Sequence, residues 1–126
     1  MAAGAEVIQE AYDAFGRGDI PAVLGMLDEN VDWRSPEVLP QGGSFNGREA
    51  VGGFFAGIGE HWDDFQVDFN QVIDGGDTVV GVGETRGDLK GTGQAAYGFT
   101  HVFTVQDGRI VRFREYVDPD ATLRSA

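Results

Sequence analysis

The residues best suited to chemistry lie in the last hairpin of the chain, Tyr97 to Asp118. His101 stands between Phe99 and Phe103 at alternate positions, and Glu115 follows another phenylalanine with the same spacing. Because alternate side chains of a strand share a face, each ionisable residue is predicted to lie among aromatic rings. A histidine and a carboxylic acid in an apolar cavity can exchange protons with a ligand. His101 and Glu115 are therefore the candidate catalytic residues.

Each of these two residues also has a purely structural interpretation. His101 can be a buried histidine whose ring nitrogens are satisfied by a neighbour. Glu115 can be held in a salt bridge, because Arg34, Arg112 and Arg114 are all candidates to lie near it. The alternation pattern places Glu115 on the inward face and the last two arginines on the outward face. Both interpretations stay open at this point.

The turn at Gln106-Asp107-Gly108 determines which residues of the hairpin face each other. A two-residue Asp-Gly loop would pair His101 with Arg114. A three-residue loop with a left-handed Gly108 would pair His101 with Phe113 and leave Glu115 diagonal to His101. The second register joins the two apolar faces, and register follows the hydrophobic pattern. We therefore predict the three-residue loop.

Composition limits the classes of partner and the number of domains. The chain has 126 residues, of which 41% are hydrophobic, so a single domain over residues 1–126 is expected. A net charge of −12 argues against nucleic acid and anionic membranes as partners. No apolar run approaches the roughly 20 residues of a membrane span, and the N-terminus does not resemble a secretory signal. With no cysteine, the sequence predicts a cytoplasmic protein.

The periodicity of apolar residues predicts helices first and strands afterwards. An amphipathic helix is predicted over residues 3–16, and Asp19 is predicted to cap a second helix. Residues 31–35 alternate as a short strand, and a third helix is predicted to begin with Asn46 as its cap. Residues 65–118 then contain four strands in an antiparallel meander. The sequence predicts an α+β fold with helices on one face of a curved sheet.

Several short motifs carry a resemblance to a known family. They are GRGD between the first two helices, FNGRE at the start of the third, and DGRI followed by REYVD in the last hairpin. In this order they resemble the SnoaL-like proteins. These belong to the nuclear transport factor 2 (NTF2-like) superfamily, which includes ketosteroid isomerase and limonene epoxide hydrolase. The resemblance implies a cone-shaped fold in which three N-terminal helices and a curved antiparallel sheet enclose a deep apolar pocket.

The resemblance also implies roles for individual residues. The polyketide cyclases of the SnoaL group pair a pocket histidine with an acidic residue on the last strand, positions that His101 and Glu115 match. The isomerase pattern places its general base at Ser35 and its oxyanion-hole tyrosine at or beside Ala11, which makes Tyr12 a candidate. Since a serine replaces the base, steroid isomerase activity is not predicted. The epoxide hydrolase pattern of arginine and aspartate is absent from the strand of His101.

The implied function is proton transfer, without a cofactor, on a cyclic polyketide- or steroid-like carbonyl compound. The alternatives are a non-catalytic carrier of a small hydrophobic or aromatic ligand and, third, a protein-interaction module. Whether the protein is an enzyme stays open. The predicted ligand pocket comprises Tyr12, Phe15, Trp33, Ser35, Phe55, Tyr97, Phe99, Phe103, Phe113 and Val117.

Three further expectations concern metals, partners and glycines. His61, Asp63 and Asp64 offer metal-binding side chains, but adjacent residues at a helix end do not converge on one ion, so no metal site is predicted. Gly81 and Gly83 share one face of a strand, where they are predicted to permit curvature of the sheet; the alternative is that they leave space over it. The outward face of the last hairpin is apolar and predicts a homodimer through Thr100, Val102, Thr104, Ile110 and Tyr116.

Overall fold

The computed structural model describes residues 4–118 and 124–125, in three helices and seven strands. None of the helices within the described residues is long and apolar enough to cross a membrane. The helices are α1 (Gly4–Gly16), α2 (Ile20–Gly25) and α3 (Arg48–His61). The strands are β1 (Leu27–Ser35), β2 (Gly43–Asn46), β3 (Trp62–Gly75), β4 (Thr78–Leu89), β5 (Gly93–Gln106), β6 (Arg109–Val117) and β7 (Arg124–Ser125).

The sheet is curved and unclosed, with its strands in the order β2-β1-β6-β5-β4-β3. Strands β3 to β6 form the predicted antiparallel meander, and the short β7 pairs with β5. Strand β1 lies parallel to β6, a pairing that the sequence did not predict. The α+β fold, with helices against one face of the sheet, is confirmed.

The buried face of α1 and the cap of α2 agree with the sequence-based predictions. Helix α1 buries Val7, Ile8, Ala11 and Ala14, which recur at helical spacing. Residue 3, the predicted start of this helix, lies outside the described residues. Asp19 caps α2 through an oxygen that accepts a hydrogen bond from the backbone N–H of Ala22 at 3.2 Å.

Helix α3 begins one residue later than predicted and without a side-chain cap. Asn46 belongs to β2, and Gly47 occupies the cap position with φ of 93° and no side-chain hydrogen bond. The Gly47 N–H instead donates to the Val31 carbonyl at 2.7 Å. A positive φ favours glycine, so the backbone requirement at Gly47 overrides the capping-box pattern.

The predicted register of the last hairpin is wrong. The turn has two residues, since Gln106 pairs with Arg109, and both Asp107 and Gly108 have positive φ. These dihedrals are typical of the tight turn that matches strand twist. The pairing then shifts between Thr104 and Val105, where β6 carries one extra residue. The two apolar faces do meet, as the hydrophobic pattern predicts, but a bulge in β6 joins them instead of a longer turn.

The bulge places the inward residues of the two strands opposite each other. Phe103 pairs with Phe113, and His101 pairs directly with Glu115 rather than diagonally. It also turns Ile110 into the core, where 1% of its surface is exposed. Ile110 therefore does not belong to the predicted outward face. Tyr116 does lie outward and is 57% exposed.

The two strand glycines make close approaches that a side chain would prevent. A Cβ at Gly83 would lie 2.1 Å from the Asp68 carbonyl oxygen and 2.5 Å from the Phe69 Cα. This contact is with the backbone of β3 next to an irregularity in its pairing, between Phe69 and Gln71. Gly83 therefore lets β3 bend over β4. Gly81 instead leaves space for a side chain, described below.

Candidate functional site

The centre of the candidate site is the cross-strand pair His101–Glu115. Register places the two residues opposite each other on β5 and β6, and His101 Nε2 lies 2.9 Å from Glu115 Oε2. Each residue is 8% exposed. Charged groups are rarely buried to this degree unless they are paired and hydrogen-bonded. The bond satisfies one nitrogen of His101 and one oxygen of Glu115.

The second oxygen of Glu115 is satisfied by Ser35 at the end of β1. The Ser35 hydroxyl donates to Glu115 Oε1 at 2.6 Å, and both groups are buried. Among the described residues, Glu115 forms no ion pair with Arg34, Arg112 or Arg114, and Arg114 instead bonds Asp32 at 2.7 Å on the other face of the sheet. That hydrogen bond from Arg114 lowers the pKa of Asp32. Glu115 is therefore oriented by a hydroxyl and an imidazole.

The second ring nitrogen of His101 is satisfied by Tyr12 of α1. The Tyr12 hydroxyl lies 2.9 Å from His101 Nδ1, and its ring stacks on Phe69 with centroids 4.6 Å apart. Room for the hydroxyl comes from Gly81, where a Cβ would lie 2.4 Å from the Tyr12 oxygen. Four side chains from four elements thus form one chain of hydrogen bonds, Ser35–Glu115–His101–Tyr12, which we call the polar relay.

The direction of hydrogen bonding in the polar relay depends on the protonation of His101. When His101 is neutral and Nε2 donates to an ionised Glu115, Nδ1 can only accept, so the Tyr12 hydroxyl donates to it. When His101 is protonated, both nitrogens donate, and the Tyr12 proton becomes available to a ligand acceptor. The relay can therefore couple the gain of a proton at His101 to a hydrogen bond donated by Tyr12.

Burial affects the acidity of Tyr12 itself. Removal from water raises the pKa of Tyr12 far above its ordinary value, and the negative charge of Glu115 adds to the rise. Tyr12 is therefore a neutral hydrogen-bond donor or acceptor near neutral pH. It is not a phenolate nucleophile.

A second polar group lies in the same interior and is centred on Gln41. Its amide nitrogen donates to the Tyr97 hydroxyl at 3.2 Å, and its carbonyl oxygen accepts from Trp62 Nε1 at 2.9 Å. Burial raises the pKa of Tyr97, and the charge of Glu115 raises it further, whereas hydrogen bonds from Thr85 and Gln41 act in the opposite direction. These contacts fix the loop between β1 and β2 against the sheet.

Gln41 is a residue of the cavity wall that the sequence does not predict. It lies in a loop rich in proline and glycine, and no periodicity marks it as buried. Only its contacts with Tyr97 and Trp62, which are distant along the chain, give it an interior position. A single polar residue in a loop carries no pattern that would reveal such a partner.

The polar relay and Gln41 border a cavity of about 70 Å³ between the helices and the sheet. Its inner surface is almost entirely carbon, because the polar atoms of the relay are bonded to one another. Both candidate catalytic residues contribute to its wall. Of the ten predicted pocket residues, seven line it: Tyr12, Phe15, Trp33, Phe55, Tyr97, Phe103 and Phe113. Their role as ligand contacts stays a prediction.

The other three predicted pocket residues lie behind the wall. Ser35 reaches the cavity only through Glu115. Phe99 stacks on the His101 ring with centroids 3.9 Å apart, and Val117 pairs with Phe99 across the strands. The remaining wall residues lie outside the predicted set: Ala11, Val23, Gln41, Phe54, Ile58, Phe65, Val67, Thr85 and Ile110.

One hydrogen-bond donor beside the cavity is unsatisfied. Trp33 is 5% exposed, and its Nε1 is buried with no hydrogen-bond partner among the described residues. Trp62, the other tryptophan, has its Nε1 satisfied by Gln41. Among residues 4–118 and 124–125, no group of three or more histidine, aspartate or glutamate side chains could hold a metal ion.

The comparisons with known proteins identify the family. The model of the SnoaL-like domain matches residues 8–113. The chain belongs to the SnoaL-like family. A search of curated proteins found no match to this SnoaL-like chain.

Solved structures share the fold of the SnoaL-like domain. An NTF2-like protein from Burkholderia thailandensis E264 is 28% identical, with a TM-score of 0.88 over 94% of this chain and 92% of its own. TerC, co-crystallised with polyporic acid, is 26% identical, with a TM-score of 0.79 over 90% and 89%. A Catenulispora acidiphila DSM 44928 protein with a ketosteroid isomerase-like fold is 17% identical, with a TM-score of 0.77 over 88% and 84%. The last likeness shows the fold alone.

Gly81→Ala should displace Tyr12 from His101 without changing the chemistry of either residue. The new methyl would lie 2.4 Å from the Tyr12 oxygen, and the ring is confined by Phe69. We expect a loss of about 1–3 kcal/mol in the free energy of unfolding, measured by chemical denaturation, since overpacking costs this much. Gly98→Ala on β5 is the control, because its Cβ meets only the Gly83 carbonyl oxygen at 3.8 Å. Equal stability of the two variants would contradict this position of Tyr12.

Tyr12 and Tyr97 should make the SnoaL-like domain lose stability above pH 10. Their folded-state pKa values are raised, so the folded protein retains two protons that the unfolded chain releases above about pH 10. The stabilisation is complete below that pH and is lost as pH rises, by up to about 1.4 kcal/mol per pH unit for each tyrosine.

Tyr97→Phe should remove one of these two contributions and reduce the steepness of the loss. The measurement is urea denaturation of both proteins from pH 7 to pH 11.5. Between pH 7 and pH 9 both tyrosines are protonated in both states, so the difference between the proteins should be constant there. The same slope above pH 10 in both proteins would show that Tyr97 ionises as freely in the fold as in the unfolded chain.

Proposed function

We propose that the protein binds a small cyclic or aromatic carbonyl compound in its cavity and catalyses proton transfer on it, as a cofactor-independent isomerase or cyclase. The single observation that carries this proposal is the polar relay, in which a buried His101 is bonded to Glu115 on one side and to Tyr12 on the other. Membership of the SnoaL-like family supports it.

Each member of the polar relay has a defined role in the proposed reaction. Nδ1 of His101 takes a proton from the carbon next to the ligand carbonyl. The Tyr12 hydroxyl turns its hydrogen bond to the carbonyl oxygen, where negative charge develops as the enolate forms. Glu115 stabilises the resulting imidazolium through Nε2–H. The proton then returns from His101 to another atom of the ligand, so no co-reactant is consumed.

Ser35 is a positioning residue in this scheme. Its hydroxyl fixes one oxygen of Glu115, and the other oxygen then faces His101 Nε2. A carboxylate held in this way keeps the imidazole in the tautomer whose Nδ1 carries no proton, so that Nδ1 can accept one once the ligand displaces the Tyr12 hydroxyl. The surrounding aromatic rings exclude water, which strengthens these electrostatic interactions.

Two further observations support a ring-shaped, oxygen-bearing ligand. The cavity wall is largely aromatic, and Trp33, with its unsatisfied indole N–H, stacks on Phe113 with centroids 3.9 Å apart. TerC, at 26% identity, was co-crystallised with polyporic acid.

The second candidate function is non-catalytic binding or transport of the same class of ligand. The observation that favours it is that the polar atoms of the relay are hydrogen-bonded to one another. They therefore contribute almost nothing to the surface of the cavity. In that case His101 and Tyr12 would serve as structural hydrogen-bond partners. Binding would come from apolar contact alone.

A paired ligand screen separates the two functions. Cyclic ketones, polyketide-like aromatics and sterols are tested by thermal shift with the native protein and with His101→Gln. A ligand at 100 times its dissociation constant should add about 2.7 kcal/mol of stability. For an enzyme, His101→Gln should retain binding and lower turnover of the hit by about 10²- to 10⁴-fold, the usual contribution of a general base.

The matched control is His61→Gln, which changes the other histidine of the chain. His61 is exposed at the end of α3 and borders neither the cavity nor the relay. The His61→Gln variant should leave both ligand binding and turnover unchanged. Unchanged turnover in His101→Gln would remove the catalytic proposal, and binding without turnover in either protein would favour the carrier.

We also propose that the chain is a single cytoplasmic domain that forms a homodimer through the outward face of β5 and β6. Tyr116 is 57% exposed there, beside the half-buried Val102. Sedimentation velocity at micromolar concentration should show a dimer, and Tyr116→Glu should show a monomer because it places a charge in the interface. A monomeric native protein would refute the dimer. Microscopy of a fluorescent fusion tests the cytoplasmic location.

A further inference from the structure

Trp33 places a buried hydrogen-bond donor without an acceptor on the wall of the cavity. The residue is 5% exposed and lines the cavity from β1. Its Nε1 is buried and has no hydrogen-bond partner among the described residues. An indole nitrogen can only donate, so this group needs an acceptor from elsewhere. The proposed proton transfer makes no use of it.

The unsatisfied atom of Trp33 differs from the two other buried polar side-chain atoms without a partner in the described part of the chain, Asp32 Oδ1 and Arg48 Nε. Asp32 accepts a hydrogen bond from Arg114 through its second oxygen. Arg48 donates to the Leu27 carbonyl through another nitrogen. Neither residue lines the cavity. Trp33 has a single polar side-chain atom, and that atom is the one left unsatisfied.

The aromatic side chains packed against Trp33 contain neither oxygen nor nitrogen. Its ring stacks on Phe113 with centroids 3.9 Å apart, and it meets Phe54 and Phe55 at 5.6 Å and 5.8 Å. An N–H group can point at an aromatic face, but that contact is weaker than a bond to oxygen. A buried water needs about two to four polar partners, which these rings do not supply. The arrangement therefore favours a ligand that brings its own acceptor.

Trp33 and Tyr12 lie on opposite sides of His101. The Tyr12 hydroxyl lies 2.9 Å from His101 Nδ1, over Gly81 of β4. Trp33 lies beyond Phe113, whose ring meets the His101 ring at a centroid distance of 5.1 Å and stacks on Trp33. A ligand beside His101 and Phe113 can therefore face Tyr12 with one edge and Trp33 with the other.

The spacing of the strands separates the two donors. Strands β5 and β6 lie between β4, below the Tyr12 hydroxyl, and β1, which carries Trp33. Neighbouring strands are about 4.8 Å apart, so three spacings amount to about 14 Å at the backbone. Side chains stand roughly perpendicular to a sheet and leave most of this separation in place. One oxygen atom of a ligand therefore cannot bond both donors.

We propose that Trp33 is a specificity-determining residue whose indole N–H binds a second oxygen acceptor of the ligand. The first acceptor is the carbonyl oxygen that faces the polar relay in the proposed function, on which this inference rests. The second acceptor lies across the cavity, beside Phe113. The ligand is therefore a compact ring compound with oxygen acceptors on opposite sides of the ring. A compound with one acceptor leaves the Trp33 donor buried and unpaired, and sites of this kind reject such analogues.

The second acceptor is a neutral oxygen, such as that of a ketone or an ester. The described residues that line the cavity include no lysine or arginine. A carboxylate bound at Trp33 would be buried without a cation, and an isolated buried charge is far more costly than a buried carbonyl group. The cavity therefore excludes ionised acids at this position.

Two ligands of similar size test the second acceptor: 1,4-diacetylbenzene and 4-isopropylacetophenone, in which an isopropyl group replaces one acetyl group. Isothermal titration calorimetry gives their dissociation constants for the native protein and for Trp33→Phe. The native protein should favour the diacetyl compound, and the ratio of the two constants should change by about tenfold in Trp33→Phe, because the unpaired donor is gone. The same ratio in both proteins would overturn the inference.

Phe54→Leu is the matched control variant. It removes aromatic surface from the same wall, next to Trp33, without removing a polar atom. It should weaken both compounds by similar factors and keep the ratio of the native protein. A ratio that changes as much in Phe54→Leu as in Trp33→Phe would assign the preference to packing and overturn the role of the indole N–H.

A second measurement uses the native protein and no ring compound. The chain has two tryptophans, so its ¹H–¹⁵N NMR spectrum contains two indole N–H signals, which Trp62→Phe assigns. Dimethyl sulfoxide, a compact and strong acceptor, should move the Trp33 signal downfield as a hydrogen bond forms. The Trp62 signal should stay nearly unchanged, because its N–H already donates to Gln41 at 2.9 Å. Equal shifts of both signals, or none, would refute an available donor at Trp33.

The Trp33 signal also decides the outcome if Trp33→Phe does not fold. In the native protein, 1,4-diacetylbenzene should move this signal downfield, whereas 4-isopropylacetophenone should not. Equal responses to the two compounds would show that the second acetyl group does not reach the indole N–H.

The two measurements distinguish failure of this inference from failure of the proposed function. If the Trp33 signal responds to dimethyl sulfoxide but neither ketone binds, the donor at Trp33 stands and the carbonyl-ligand proposal is overturned. If both ketones bind and Trp33→Phe leaves their ratio unchanged, the second acceptor is overturned and the proposed function stands. No binding and no shift would overturn both.

Discussion

The hydrogen bond between His101 and Glu115 is the constraint on which the interior depends. It places two ionisable groups, each 8% exposed, in the middle of an aromatic core. A buried pair of this kind stabilises little by itself, but removal of one partner leaves a buried polar group unsatisfied. The pair needs Ser35 from β1 and Tyr12 from α1 to complete its hydrogen bonds. The first strand and the first helix are therefore tied to the last hairpin.

The register of the last hairpin places His101 and Glu115 opposite each other. Without the bulge, the two-residue turn at Asp107-Gly108 would set His101 opposite Arg114, and Glu115 would lie on the other side of the sheet from it. The extra residue of β6 shifts the pairing by one position between the turn and His101, so that Glu115 lies opposite His101. The same shift buries Ile110 against the helices. One irregularity thus serves both the packing of the core and the chemistry of the site.

Much of the fold, but little of the site's detail, could be predicted from the sequence. The apolar face of α1, the Asp19 cap and the four alternating strands depend on neighbours along the chain, so local patterns predict them. The same alternation predicts that His101 and Glu115 both point inward. The contact of Tyr12 with His101 joins residues 89 positions apart, and no local pattern reports such a contact. The contacts of Gln41 with Tyr97 and Trp62 are likewise distant along the chain and leave no local pattern.

The strand glycines explain how such distant contacts are made possible. At Gly83 the missing side chain lets the backbone of β3 approach β4, and at Gly81 it leaves room for the Tyr12 hydroxyl. Without a Cβ at Gly81, the Tyr12 hydroxyl lies within hydrogen-bond distance of His101, the cross-strand partner of Gly81 on β5. The predicted role in curvature fits Gly83, whose close contact is with the backbone of β3, whereas Gly81 leaves space for a side chain.

The size of the cavity limits what the polar relay can do in this arrangement. Its atoms are bonded to each other and face a wall of carbon, so a carbonyl group must first displace Tyr12 from His101 to reach either residue. That displacement is favourable only if the ligand replaces the lost hydrogen bond and fills the space with apolar contact. A small polar molecule offers too little contact, and a purely apolar one offers no acceptor. For the proposed function, the ligand would therefore have to combine an oxygen acceptor with an apolar ring system.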